Sequence, residues 1–210
     1  MARLNEVLNY DSKYTTEGVL KNKLNITDEK ALDDAERVIT GYKLANLYLN
    51  SENQKFDINH YLSIHKYLFE DIYDFAGEIR SENIKKSIPF CLPNLIYENL
   101  KTTLAKANIA YKNIKNEEDL VDFIAYFYSE LDIIHPFREG NGRCEREFLR
   151  QYVERINKVI DFGEYHLDYN QIEDKDSFTN SVIIADSRCE YDLLKENIRK
   201  ILIKENKLRR

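Results

Sequence analysis

The chain has 210 residues, of which 43% are hydrophobic and 32% charged, with a formal net charge of −6. Its pI is about 5.4 and its mean hydropathy −0.58. These values permit a real core and argue against wholesale attraction to nucleic acid. They also exclude a membrane span, because no apolar run approaches the roughly 20 residues that one needs.

The opening MARLNEVLNYDSK lacks the apolar centre of a signal peptide. Cys91, Cys144 and Cys189 are too widely spaced for a zinc site and fit reduced thiols, so the expected location is cytoplasmic. Few glycines and prolines favour long helices over a turn-rich β fold. Residues 1–27 read as polar and mixed, with Tyr10, Tyr14, Val19 and Leu20 as anchors. Thr27 or Asp28 can cap a helix over 28–49, whose apolar face is predicted at Leu32, Ala35, Val38, Ile39, Tyr42 and Ala45. Ser51–Gln54 breaks the pattern, which separates a helical extension (1–50) from a main domain (51–210).

A second helix is predicted from Phe56 to about Glu70, with Ile58, Tyr61, Leu62, His65, Leu68 and Phe69 inward. His65 in that stripe reads as a satisfied core histidine. Residues 79–92 are the one stretch suited to a short hairpin, with Ile84, Ile88 and Phe90 among polar neighbours and Pro89 and Pro93 limiting it. Helices follow over 93–113 and 117–134, the latter carrying Leu120, Phe123, Ile124, Phe127, Leu131 and Ile134 at core spacing. Helical pattern resumes near Gly142 with Phe148, Leu149, Tyr152, Val153, Ile156 and Val159. Asp161–Asn170 reads as a connector, and helices over 173–186 and 190–206 complete the chain.

Between two apolar stripes lies His135-Pro136-Phe137-Arg138-Glu139-Gly140-Asn141-Gly142-Arg143-Cys144-Glu145-Arg146. Gly140 and Gly142 let backbone approach a ligand. Because the loop opens a helix, its N–H groups and the helix dipole favour an anion, phosphate above all. Arg143 and Arg146 share a face of the first turn, with planar forks suited to phosphate oxygens. Glu139 is a lone carboxylate, which is how Mg²⁺ is held beside a polyphosphate. Imidazole changes charge near neutrality, so His135 suits a general base acting on a hydroxyl. No GxxxxGK(S/T) run is present, which excludes a P-loop. Eight fixed positions in twelve, at average usage, arise by chance in about one window in 10¹⁰. The set describes nucleotide-dependent transfer onto a hydroxyl.

The segment HPFREGNGRCER, with YDFAGEIR upstream, resembles the HPF-x-(D/E)-GNGR-x-x-R signature of the Fic (Fido-domain) family, over about residues 55–200. The resemblance implies an all-α fold with a small β-hairpin flap. It implies an enzyme, a protein adenylyltransferase that moves AMP from ATP to a Ser, Thr or Tyr hydroxyl of a target protein; the fifteen tyrosines of the chain add self-modification as an expectation. By position, His135 would be the catalytic base and Glu139 would hold Mg²⁺. Gly140, Asn141 (side chain included) and Gly142 would cradle the α- and β-phosphates, with Arg143 on the β-phosphate and Arg146 on the γ-phosphate. Ile88, Phe90 and Asn180 would be further nucleotide contacts, and the target would pair with the flap at 84–91. Gly142 argues against the phosphorylating branch, which has lysine there.

Many members carry an inhibitory helix, Ser/Thr-x-x-x-Glu-Gly/Asn, on the chain or on a small antitoxin. In the 28–49 helix, Ala31 and Ala35 have the spacing of that pair without its chemistry. Either the helix is scaffold or its inhibitory residues have been replaced. Glu36 is a candidate surviving partner for Arg146, but one helix position is about 100° of rotation, so it is expected to point away from that arginine. An antitoxin-controlled toxin module, or transfer of another nucleotide-derived phosphoryl group, are the competing readings. Neither a membrane nor direct nucleic-acid binding is expected.

Overall fold

The computed structural model describes residues 12–49 and 55–205, so the expected anchor Tyr10, the break at Ser51–Gln54 and residue 206 of the last predicted helix lie outside it. The chain falls into two compact units, one drawn from Met1–Glu98 and His135–Cys144, the other from Asn99–Ile134 and Glu145–Arg210.

The first unit opens with a feature absent from the sequence reading. β1 (Thr15–Thr16) pairs antiparallel with β2 (Val19–Leu20). Glu17 and Gly18 both have positive φ, 49° and 82°, the conformation of a two-residue hairpin turn. Tyr14 and Leu20 are buried, as expected of anchors. Helix α1 spans Glu29–Leu49, and the Asp28 carboxylate accepts the Ala31 N–H at 2.7 Å, so Asp28 is its cap.

The face that α1 buries differs from the one its apolar periodicity predicts. Leu32, Glu36, Thr40 and Lys43 are buried, while Val38 and Tyr42 are 72% and 70% exposed and Ala45 is exposed too. Polar partners explain the difference. Lys43 meets Asp71 at 2.7 Å and Glu70 at 3.3 Å, and Glu36 is bonded to Tyr73 and Arg143. Burial of such groups is tolerated only where every one is satisfied.

Helix α2, Ile58–Phe69, is capped by Asp57, whose side chain accepts the His60 N–H. It buries Tyr61, Ile64, His65, Leu68 and Phe69. The His65 ring stacks on Phe137 at 3.6 Å, and Tyr73 stacks on Phe75 at 4.6 Å. The hairpin expected within 79–92 contracts to one antiparallel bridge, Lys85 to Pro89, supported by Phe90 N–H to the Ile84 carbonyl at 3.3 Å. Proline has no N–H to extend the ladder.

The second unit takes in most of α3 (Pro93–Ala110), then α4 (Glu117–Ile134) and most of α5 (Asn141–Asn157). The whole predicted stripe of α4 is buried. On α5, Phe148, Leu149, Tyr152, Val153 and Ile156 are buried, but the helix stops at Asn157, so Val159 is 60% exposed instead of core. α6 (Lys175–Arg188) is capped by Asp174 and ends at Cys189 in the left-handed region. α7 is Asp192–Ile201.

The expected connector and the end of the last predicted helix form strands instead. β3 (Glu164–Leu167) pairs antiparallel with β4 (Leu202–Glu205). The buried positions of β3 alternate, Tyr165 and Leu167 facing in, which is the period of a half-buried strand. The architecture is all-α with small two-stranded additions. Among the described residues no helix is long and apolar enough to cross a membrane.

Candidate active site

Helix α4 ends at Ile134, and His135 takes φ 44°, a left-handed backbone that a following proline locks out of the helix. Arg80 holds that bend. Its N–H donates to the Pro136 carbonyl at 2.9 Å and its Nε to the His135 carbonyl at 2.8 Å. Its remaining nitrogens donate to the carbonyls of Glu82 and Cys91, both at 2.6 Å, so one guanidinium joins the loop to both arms of the bridge-bearing turn. Burial pulls the Arg80 group down to about 10, which leaves it charged at neutral pH. The His135 ring stacks on Phe90 at 3.8 Å between centroids.

His65 is the second support. Its Nδ1 accepts the Gly77 N–H at 2.9 Å, so Nε2 carries the proton and donates to the Glu139 carbonyl at 2.9 Å. Burial holds this imidazole down at about 3, with Arg143 adding to the effect against the hydrogen bond to Glu139, so it is neutral. The expectation of a satisfied core histidine is thus correct as far as it went; the ring also latches the loop.

Asn141 clamps the turn from within. Its Oδ1 accepts the Phe137 N–H and its Nδ2 donates to the Phe137 carbonyl, each at 2.8 Å. The side chain expected to cradle phosphate thus also holds the loop, with one amide N–H left over. α5 also offers an anion its backbone. Its first bond runs from the Cys144 N–H to the Gly140 carbonyl at 3.1 Å, so the N–H groups of Asn141, Gly142 and Arg143 precede it. Gly140 has φ 83°, and a Cβ there would lie 2.2 Å from Cζ of Phe69. No other residue fits.

Glu139 lies in the turn just before α5, and Arg143 on the first turn of that helix. Glu139 Oε1 accepts the Gly140 N–H at 2.9 Å and lies 3.5 Å from Arg143 Nη2. Among the described residues no group of three or more His, Cys, Asp or Glu is placed to hold a metal by itself. A single carboxylate fits a hard cation that completes its shell with phosphate oxygens and water. Arg143 reaches α1: Nη2 donates to Glu36, Nη1 donates to Thr40 Oγ1 at 3.3 Å, and the guanidinium lies 4.8 Å over the Phe69 ring. Glu36, expected to point away from Arg146, is bonded to Arg143. Ala31 is exposed and Ala35 half-buried. Ile88 is half-buried on the turn.

Two predicted residues belong to the second unit. Arg146 lies 5.8 Å over the Tyr169 ring. Beside it, Glu145 is fully buried with Oε1 unpaired, and burial, then Asp132, raise its carboxyl well above the usual range. Asn180 is exposed on α6. Arg80 escaped the sequence reading, and so did the pairing of Glu36 with Arg143. The signal for Arg80 was its place at the end of YDFAGEIR; for Glu36 there was only a polar residue inside an amphipathic helix.

Residues 55–153 match the Fic/DOC family. Over that segment the chain is similar to Fic/DOC proteins. Protein adenylyltransferase VbhT of Bartonella schoenbuchensis is 30% identical over 158 residues, 74% of this chain and 32% of that protein. The chain thus spans about a third of that relative's length. The probable protein adenylyltransferase y4lH of Sinorhizobium fredii is 29% identical over 160 residues, covering 75% of this chain and 78% of the relative. Among solved structures, Bartonella tribocorum BepC with bound AMPPNP superposes with a TM-score of 0.78 at 22% identity, covering 94% of this chain and 97% of that one. The FIC domain of Bep8 from Bartonella sp. 1-1C gives 0.78 at 24%, covering 90% and 93%. At such identity these two establish the Fic fold.

Proposed function

We propose that this Fic-like chain transfers AMP from ATP to a Ser, Thr or Tyr hydroxyl of a protein. The carrying observation is the folded motif. One loop sets a His135 imidazole, a Glu139 carboxylate, the Arg143 guanidinium and the first N–H groups of α5 together. Relatives named protein adenylyltransferase and a related fold bound to AMPPNP support the reading.

In the reaction His135 takes the proton of the target hydroxyl. The oxygen–Pα bond forms as the bond from Pα to the bridging oxygen breaks, and pyrophosphate leaves. The N–H groups of Asn141, Gly142 and Arg143 meet the α- and β-phosphates, and Arg146 takes the γ-phosphate by its place in the motif. Glu139 holds Mg²⁺, which neutralises phosphate charge when bound. The target lies along the turn at 84–91, where Phe90 keeps the imidazole in plane.

Incubation with ATP labelled on the α-phosphate should transfer label to protein, and His135→Ala should reduce transfer by a factor of about 10² or more. Label arriving only from the γ-phosphate would make the reaction phosphorylation. Undiminished transfer by His135→Ala would remove that residue from its role.

A further inference from the structure

We propose that Glu36 is a positioning residue: by binding Arg143 from α1 it keeps that arginine off Glu139 and leaves the Glu139 carboxylate to a divalent cation. The proposal rests on the reading of Glu139 given above. Arg143 Nη2 stands between two carboxylates, hydrogen-bonded to Glu36 and 3.5 Å from Glu139 Oε1. Thr40 takes the other terminal nitrogen at 3.3 Å, and the Phe69 ring underlies the plane at 4.8 Å. Two anchors from α1 and one ring therefore fix the fork. A guanidinium has five N–H donors, so this grip leaves others for phosphate.

Glu36 is itself immobile. Its side chain is 5% exposed, one carboxylate oxygen accepts from Arg143 and the other accepts the Tyr73 hydroxyl. A plug that must leave before substrate enters would not be buried with both oxygens bound, so the contact is a fixture and not an inhibitory stopper. Without it, Arg143 and Glu139, already 3.5 Å apart, are free to close into a direct pair. Such a pair would compete with any cation for the same oxygens.

The variant is Glu36→Gln, which keeps shape and removes charge. Mn²⁺ binding is read by electron paramagnetic resonance with AMPPNP present. Nucleotide binding is measured separately by calorimetry in EDTA. The expected result is about tenfold weaker Mn²⁺ binding, the size usual for groups behind a metal ligand, with metal-free nucleotide affinity changed less than about twofold. Equal weakening with and without metal would make Glu36 merely structural and overturn the proposal. Tighter nucleotide binding would make it an inhibitor, with the same consequence. Should Glu36→Gln fail to fold, Thr40→Val removes the second anchor and should weaken Mn²⁺ binding in the same selective way; no change would overturn the idea. Wild-type chain that binds Mn²⁺ and AMPPNP but transfers no label defeats the adenylyltransferase reading alone. Wild-type chain that binds no Mn²⁺ in the presence of AMPPNP defeats both.

Discussion

Gly140 shows how little freedom the loop has. Its φ of 83° already disfavours any side chain, and the Phe69 ring fills the space a methyl would need. Gly140→Ala should cost about 2 kcal/mol or more, from strain and overpacking together. The urea midpoint would report it, and a second change, Phe69→Leu, should recover part of the loss by removing the clash while the strain remains. At this scale the sequence was most legible where function is local. His135, Glu139, Gly140 and Arg143 stand within nine positions and carry their chemistry on the surface of the text. Glu36 did not, because its partner Arg143 is 107 positions away and only folding joins them. The clamp that Asn141 makes on Phe137 was equally illegible, because an amide beside an anion site reads as a ligand and only the fold shows its second task.

Helix α1 makes the same point for an element. Its extent and its cap were readable, since capping chemistry and helical spacing are local properties. Which face turns inward was not. Periodicity ranks faces by transfer of apolar surface from water, and that ranking fails when a polar face finds its partners. Leu32→Ala, at a site with no exposure, should cost about 2–4 kcal/mol. Val38→Lys and Tyr42→Glu, on the face that reads as more apolar, should each stay within about 0.5 kcal/mol. Chemical denaturation of the three variants tests this directly, and a large cost at Val38 would restore the apolar face as core. The β3–β4 pair was hidden for another reason. Each strand has four residues, and two helices separate them, so neither carries enough pattern to be read alone.

Over the whole molecule, two buried groups bend stability against pH in opposite senses. His65 is held at about 3 by burial, below the 6.5 of an unfolded chain. Below 6.5 the unfolded chain takes a proton that the folded one refuses, so stability falls on acidification from 6.5 toward 3. Asp186 is the reverse. Burial, then Asp132, push it up to about 8 from 3.8, while Ser129 Oγ donates to it at 2.7 Å. Its contribution is complete below 3.8 and is lost as pH rises toward 8. Each proton is worth at most ~1.4 kcal/mol per pH unit. Between about 4 and 6.5 the two slopes oppose, and wild-type stability should be flatter than that of either variant. In that window His65→Gln should become more stable as pH falls, and Asp186→Asn less stable. Urea titrations at pH 4.5 and 6.5 separate them, and parallel curves for all three proteins would refute the assignment. The all-α class and most helix positions were legible at this scale, because apolar spacing is repeated over many turns. These two titrations were not, since burial is a property of the finished fold.

One consequence follows from the backbone of His135. A left-handed φ at a residue with a Cβ stores about 1 kcal/mol, and Arg80 holds it in place. Glycine ordinarily destabilises relative to alanine, but at this position the ranking should invert. His135→Gly should be the more stable of the two inactive proteins, and its melting temperature should exceed that of His135→Ala. The chain accepts a conformational debt at the residue proposed as the base, and mutational scans that score abundance alone would mark that residue as tolerant.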